Sequence, residues 1–325
     1  MVLRVVGSNP IIHPRKLTFN NLRVSVFLLY TCKLFLMKAP TNKITDLIRF
    51  YSNELKAVYS DKEAKSLVEQ LVDSFFGIDK LKLIKTPELR LNESEMLRLH
   101  FAVKELSCNK PLQYILTQTE FDGLMFTVNE NVLIPRPETE ELVILVSNFL
   151  SYKAKVTVAD IGTGSGCIAI SIANRFPSSI VEGFDVSMDA LAVAKKNAIN
   201  LSVNNVSFFE MDILQPETSL NQNHYDLIVS NPPYVTITDK AEMKPNVLDY
   251  EPELALFVTD EDPLIFYRTI ILKAVPSLKN GGLLAFEINE RFGSEVCRLM
   301  KSAGFTDCKI IEDLNKKDRF VTGLK

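Results

Sequence analysis

The stretch VTVADIGTGSGCIAISIA, residues 156–173, decides the fold. Val156 to Ile161 is an apolar, β-branched run with one acid, Asp160, next to its end, and it passes directly into Gly162, Thr163, Gly164, Ser165 and Gly166. From Cys167 onward the residues read as a helix. Glycine permits the tight strand-to-helix turn and lets a ligand approach bare backbone. Tight turns without ligands also use glycine, so the loop alone is a weak signal. A second feature strengthens it: Asp185 ends the next extended run, at the spacing of about 20 residues expected of an acid that binds ribose hydroxyls. The dinucleotide fingerprint G-x-G-x-x-G would need glycine at position 167, which is Cys, so a pyrophosphate lacks its usual seat at the helix end. This disfavours a dehydrogenase.

The form G-x-G-x-G after an acidic strand end resembles the nucleoside-binding loop of class I methyltransferases, which use S-adenosylmethionine. Sixty-five residues beyond Gly166, the run Tyr225 to Ser230 leads into Asn231-Pro232-Pro233-Tyr234. In an open α/β sheet the carboxyl end of a strand is where ligands bind. The two prolines fix φ and remove backbone donors, leaving the Pro232 carbonyl to accept. Asn231 adds a side-chain acceptor and Tyr234 a flat face. Two convergent acceptors beside a methyl sulfonium suit the grip of a planar NH₂, whose lone pair they help localise while they stabilise positive charge developing on nitrogen. No strong general base is needed before transfer. The bland alternative is a proline-rich turn with an Asn cap, but the position of the tetrapeptide at the end of the fourth expected strand favours a functional role.

Outward from these loops, extended runs at Thr157–Ile161, Ile180–Asp185, Ser207–Glu210, Asp226–Ser230, Leu283–Ile288 and Cys308–Glu312 alternate with helical segments such as Ser187–Leu201 and Pro263–Leu278. Such alternation builds a mostly parallel sheet wrapped by helices. Before it, Leu47, Ile48, Tyr51 and Leu55, then Leu67, Val68, Leu71, Val72 and Phe75, recur at helical spacing. Ser60 with Glu63 and Asn92 with Glu95 fit capping boxes, and Gly77 fits a helix stop. The region 120–141 reads as a β-hairpin, with strands at 121–126 and 132–134 joined by a turn at Asn129-Glu130-Asn131. The expected organisation is a leader over 1–42, a helical domain over 43–117, a hairpin connector over 118–140 and an α/β domain over 141–325.

Several further motifs carry a specific resemblance. Pro111-Leu-Gln-Tyr-Ile115, Phe121-Asp-Gly123, Val132-Leu-Ile-Pro-Arg-Pro-Glu-Thr-Glu-Glu141, Tyr250-Glu-Pro252 with Ala255-Leu256, Phe286-Glu-Ile288 and Asp318-Arg-Phe320 join the two loops already described. Together they resemble the HemK/PrmC family of release factor glutamine N5-methyltransferases, from about Lys43 to the carboxyl end. The resemblance implies a Rossmann-like class I S-adenosylmethionine-dependent methyltransferase domain carrying a small N-terminal helical domain. It implies methyl transfer to the glutamine side-chain amide in the Gly-Gly-Gln tripeptide of peptide chain release factors, during translation termination. Carried over by position, Gly162, Thr163, Gly164, Ser165 and Gly166 line the cofactor, Asp185 takes the ribose, and Asp212 with Ile213 meets the adenine. Asn231, Pro232, Pro233 and Tyr234 bind the glutamine; Asn231, Pro232 and Tyr234 are the catalytic set, with Asn231 also near the cofactor. The helical domain would help recognise the release factor. Thr117 stands where relatives usually place glycine, Ile213 where many have an aromatic residue, and Val258–Pro263 lacks the family's glycine-rich stretch. Arg136 and Glu140 read either as a structural ion pair tying the hairpin to the catalytic domain or as site residues.

Composition weighs the acceptor. The chain has 325 residues, 37 lysines and arginines against 40 acids, and a formal charge of −3. The first 45 residues hold seven of the bases and no acid, leaving 30 against 40 and a net of −10 for the remainder. A DNA or RNA methyltransferase acting on adenine N6 or another exocyclic amine is the alternative reading, since the same tetrapeptide chemistry serves any conjugated NH₂. Such an enzyme should present a basic, aromatic-interleaved stripe, and none is evident. A non-catalytic adaptor should show a broken loop, and both loops are intact. The apolar run Val24–Met37 is interrupted by Lys33 and is too short to span a membrane. With Met37 as a second candidate start, residues 1–36 read as an upstream extension or, alternatively, a transit peptide. Five scattered cysteines without a C-x-x-C pair, and three histidines apart from them, point to a reducing cytoplasm, to thiols that serve as small core residues, and to no metal. A monomer that contacts neither membrane nor nucleic acid is expected.

Overall fold

The computed structural model describes Ala39 and residues 41–325, so the expectations for residues 1–36 lie outside the described residues. The chain begins as a helical unit: α1 (Ile44–Leu55), α2 (Asp61–Phe76), α3 (Lys80–Lys85), α4 (Glu93–Ser107) and α5 (Leu112–Leu116). Leu47, Tyr51, Leu71, Leu99 and Val103 form its core, on the faces that the helical spacing assigns. Asn92 caps α4 with a complete box, its side chain accepting from Glu95 N at 3.0 Å while Glu95 accepts from Asn92 N at 2.8 Å. At α2 the first half of the expected box forms, Ser60 accepting from Glu63 N.

The hairpin is shifted from the expected one. Its strands are β1 (Gln118–Phe121) and β2 (Leu124–Thr127), and the turn is Asp122-Gly123. Both turn residues have positive φ, +53° and +72°, which a two-residue loop of right-handed twist requires and which an Asp-Gly pair supplies. Residues 129–136 are irregular. The hairpin also belongs to the catalytic core, because Phe121 and Phe126 are fully buried against the sheet's helices, edge to face at 5.9 Å.

The α/β part opens with α6 (Pro137–Leu150), which starts four residues before the expected domain boundary. It continues with β3 (Thr157–Ile161), α7 (Cys167–Arg175), β4 (Ile180–Asp185), α8 (Met188–Asn200), β5 (Val206–Glu210) and β6 (Tyr225–Ser230). A loop carrying β7 (Val235–Thr236), α9 (Pro245–Leu248), α10 (Glu253–Leu256) and β8 (Phe257–Val258) then leads to α11 (Ile265–Ser277) and β9 (Leu278–Glu287). The chain ends with α12 (Gly293–Ser302), β10 (Thr306–Glu312) and β11 (Asp318–Leu324). The sheet order is β10-β11-β9-β6-β3-β4-β5.

Strands β5, β4, β3, β6 and β9 run parallel, whereas β11 is antiparallel to both β9 and β10. Every residue of β3 and β6 is buried, as a strand covered on both faces must be, and both read as nearly unbroken apolar runs. Helices α6, α7 and α8 cover one face through Leu142, Val146, Ile170 and Leu191. Helices α11 and α12 cover the other through Tyr267, Ile270, Val296 and Met300. Strand order reverses between β3 and β6, which opens a crevice at their carboxyl ends where open sheets bind ligands. Among the described residues no helix is long and apolar enough to cross a membrane.

Candidate active site

The crevice between β3 and β6 holds a cleft of about 870 Å³. Gly162, Gly164, Asp185, Asp212, Ile213, Asn231, Pro232 and Pro233 border it, with apolar walls from Leu133, Val186, Met211 and Phe266. A second cavity of about 550 Å³ adjoins it, lined by Arg136, Tyr234, Val235, Met243 and Val247. The two share Leu133, Asn231, Pro232 and Ala255. Asn231 and Pro232, together with Leu133 and Ala255, therefore stand at the partition between two spaces.

Not every expected loop residue faces the cleft. A Cβ at Gly162 or Gly164 would meet nothing within 4 Å, so bare backbone faces the opening there. Thr163, Ser165 and Gly166 stand behind it. Thr163 is turned inward, its hydroxyl donating to Asp160 Oδ2 at 2.7 Å. Gly166, at φ +81°, packs so closely that a Cβ would lie 3.0–3.1 Å from Ile170, Ala194 and Phe208. Asn197, fully buried, donates to the carbonyls of Ser165 (2.9 Å) and Thr127 (3.0 Å) and accepts from Thr127 N, which ties the glycine loop to the hairpin.

Asp160 is wholly buried beneath the loop, accepting from Thr163 and from Ala169 N at the start of α7 through Oδ2, while Oδ1 has no hydrogen-bond partner. Desolvation outweighs those bonds and pushes its carboxyl up to about 7. Asp185 accepts from Gly164 N and Ser187 N, both at 2.9 Å, which holds one oxygen toward each side of the strand end. Burial raises it from the usual carboxylate range, and the backbone bonds oppose that rise. Asp212 Oδ1 accepts from Leu214 N at 2.9 Å, so a local turn presents Ile213 to the cleft.

On the other side of the partition, Asn231 Nδ2 donates to Thr139 Oγ1 at 3.1 Å, and Thr139 donates to Glu287 Oε2 at 2.7 Å. Tyr234 donates to Glu287 Oε1 at 3.1 Å. The hydroxyl is thus anchored, and Tyr234 lines the second cavity. Glu287 is 1% exposed, and desolvation raises its pKa against these two bonds and the nearby Arg319. Arg136 pairs with Glu251 at 2.6 Å, and Glu251 also accepts from Ile134 N at 3.4 Å, so this arginine ties the segment after the hairpin to the β7–β8 loop. Thr139, Glu251 and Glu287 stood inside the quoted motifs without roles. Their pairing is long-range and has no periodicity that sequence reading could follow.

Of the cysteines within the described residues, Cys297 is buried, Cys167 and Cys308 are partly buried and Cys108 is exposed. The expectation of core thiols fails at Cys108, which caps the exposed end of α4 and whose carbonyl accepts from Tyr250 Oη at 2.8 Å. Cys32 lies outside the described residues.

Residues 46–116 match the PrmC N-terminal domain, and residues 142–248 match the methyltransferase small domain. The release factor glutamine methyltransferase of Flavobacterium psychrophilum is 44% identical over 270 residues, covering 82% of this chain and 94% of that protein. The protein of the same description from Bacteroides thetaiotaomicron is 42% identical over 281 residues, 86% of this chain and 99% of its own. Among solved structures, the hMettl16 catalytic domain in complex with MAT2A 3'UTR hairpin 6 is 16% identical with a TM-score of 0.50, over 72% of this chain and 82% of that one, a likeness of fold.

Proposed function

Since the chain belongs to the family of release factor glutamine methyltransferases, we propose that it transfers a methyl group from S-adenosylmethionine to the side-chain amide nitrogen of the glutamine in the Gly-Gly-Gln tripeptide of peptide chain release factors. The observation that carries this reading is the partition: Asn231 and Pro232 border both the nucleoside-sized cleft and the adjoining cavity. A cofactor held in the first then lies next to an amide in the second, with the groups that grip the amide between them. Family membership favours this acceptor over an exocyclic amine of DNA or RNA.

The residues present fit the cofactor. Bare backbone at Gly162 and Gly164 admits the methionine part, Asp185 supplies an acceptor for ribose hydroxyls, and Ile213 with Met211 and Phe266 gives an apolar slot for adenine. When bound, S-adenosylmethionine supplies an electrophilic methyl on a sulfonium. Asn231 Oδ1 and the Pro232 carbonyl accept the two N–H groups of the glutamine amide, which turns the nitrogen toward the methyl and supports the positive charge that grows there. The amide proton leaves after transfer, so no base of high pKa is required at the nitrogen. Tyr234 and Val235 line the wall around the side chain, while Pro233, expected there, borders the cofactor cleft instead. The acceptor is a protein, the enzyme acts as a monomer in the cytoplasm, and it makes no direct contact with nucleic acid.

The test uses labelled S-adenosylmethionine with a release factor, either wild type or with its Gly-Gly-Gln glutamine changed to alanine. Label confined to the wild-type factor is expected. Equal label on both would overturn the glutamine assignment.

A further inference from the structure

The acceptor assigned to Asn231 depends on which way its amide is turned, and nothing within the tetrapeptide fixes that. The fixing group lies on α6. Thr139 is 3% exposed and has a single hydroxyl proton, which it donates to Glu287 Oε2 at 2.7 Å. Toward Asn231, 3.1 Å away, it can therefore only accept. That draws Nδ2 onto Thr139 and leaves Oδ1 as the arm of the amide presented to substrate.

Glu287 sets the direction of the whole chain of bonds. It is 1% exposed, and its other oxygen takes the Tyr234 hydroxyl at 3.1 Å, so both oxygens act as acceptors of hydroxyl protons. Buried groups of this kind cannot exchange a lost partner for water, and reversing one bond leaves two donors or two acceptors face to face. We propose that Thr139 and Glu287 are positioning residues that hold Asn231 with its oxygen toward the acceptor site, so that the site takes an NH₂ group and disfavours a carboxylate. The proposal rests on the reading of Asn231 as a ligand of the glutamine amide. It adds a specificity element outside the tetrapeptide: a glutamine offers two N–H groups to Asn231 Oδ1 and Pro232 O, whereas a glutamate offers lone pairs to the same acceptors.

The test is steady-state methylation of a release factor by Thr139→Val, Thr139→Ser and Glu287→Leu, with cofactor binding followed by calorimetry and folding by thermal melting. Valine keeps the shape of threonine and removes the proton, and a loss of about 100-fold in kcat is expected, the scale of removing one oriented hydrogen bond from a transition state. The KM for the factor and the Kd for the cofactor should stay within about threefold, a split that general loosening of the fold would not produce. Thr139→Ser, which restores the hydroxyl, should return kcat to within about threefold of wild type. Glu287→Leu removes both acceptors, freeing the Thr139 proton to turn toward Asn231, and should lose kcat likewise; it carries the test should the valine variant melt early. Adding Thr139→Val to Asn231→Ala should cost nothing more, because the relay acts only through Asn231. Wild-type kcat in either folded single variant, or additive losses in the double one, would overturn the proposal. Wild-type enzyme run beside them on the alanine-substituted factor separates the premises: label there defeats the glutamine assignment, while selective wild type with an undiminished Thr139→Val defeats the relay alone.

Discussion

Gly164 and Gly166 stand two residues apart in one loop and answer to different demands. Gly164 borders the cleft with open space where a Cβ would stand, whereas a Cβ on Gly166 would press on Ile170, Ala194 and Phe208. Both have positive φ. Gly164→Ala should therefore cost about 1 kcal/mol of stability, from backbone strain alone, and should weaken S-adenosylmethionine binding by about tenfold or more as the methyl intrudes on the ligand. Gly166→Ala should do the reverse, losing about 3 kcal/mol through strain plus overpacking. Denaturation and calorimetry on the two variants read this contrast, and equal behaviour would remove it. Asp160 gives a prediction in pH. Its folded pKa is raised to about 7 by burial, so its stabilising contribution is complete below an unfolded pKa of about 3.9, is lost as pH rises through 7, and is constant above. The difference in unfolding free energy between wild type and Asp160→Asn should thus drift by about 4 kcal/mol across pH 4–7, against wild type at the alkaline end. Asp226 runs the opposite way. Bonds from Lys279, Thr157 N and Lys153 overcome its desolvation and lower its pKa, so its contribution is present above about pH 3.9 and lost only below that. A flat difference curve for Asp160→Asn would contradict the buried, half-satisfied carboxyl described above.

Elements follow the same physics with less local information. Helix α5 ends on Thr117 in the left-handed region at φ +59°, where a β-branched side chain is strained and glycine is the usual residue. The side chain is exposed, so no packing is lost on its removal. Thr117→Gly should raise stability by about 1 kcal/mol and leave kcat unchanged. A lowered melting temperature would show that the strain is absent. The departure was visible in the sequence; its meaning needed the dihedral. Other elements divide in the same manner. Strand β3, the glycine loop and β6 were legible because apolar continuity and adjacent turn chemistry are local properties. The expected hairpin turn falls one turn late because Asn129-Glu130-Asn131 also carries turn chemistry, while the choice of Asp122-Gly123 is enforced by burying Phe121 and Phe126 together. Strand β11 lies outside the expected strands. It starts with Asp318-Arg319 and contains Gly323, and its stability comes from pairing with β9 and β10 on either side, not from its own pattern.

At the scale of the whole molecule, the two cavities lie at the reversal of strand order, and every wall of them arrives from a different part of the chain. The glycine loop and the tetrapeptide are legible in the sequence because each is contiguous. The grouping of Thr139, Asn231 and Glu287 is not, because separations of 92 and 148 residues are closed only by the packing of α6 over the ends of β6 and β9. Charge is the remaining global property. Residues beyond the first 45 carry a net of −10, and several bases are already held by acids, as Arg136 is by Glu251 and Lys153 with Lys279 by Asp226. A release factor that presents basic, RNA-binding surface would be drawn to such a body from a distance, and screening shortens that reach from about 10 Å at 0.1 M salt to about 3 Å at 1 M. With a whole release factor as substrate, kcat/KM should therefore fall by about tenfold between 0.05 and 0.5 M salt, almost entirely through KM, because docking is the screened step. An uncharged Gly-Gly-Gln peptide engages only the two cavities and should show nearly constant kcat/KM over the same range. If factor and peptide respond alike, the acidic surface plays no part in docking, and recognition has to be sought in the shape of the helical unit and the cleft rim.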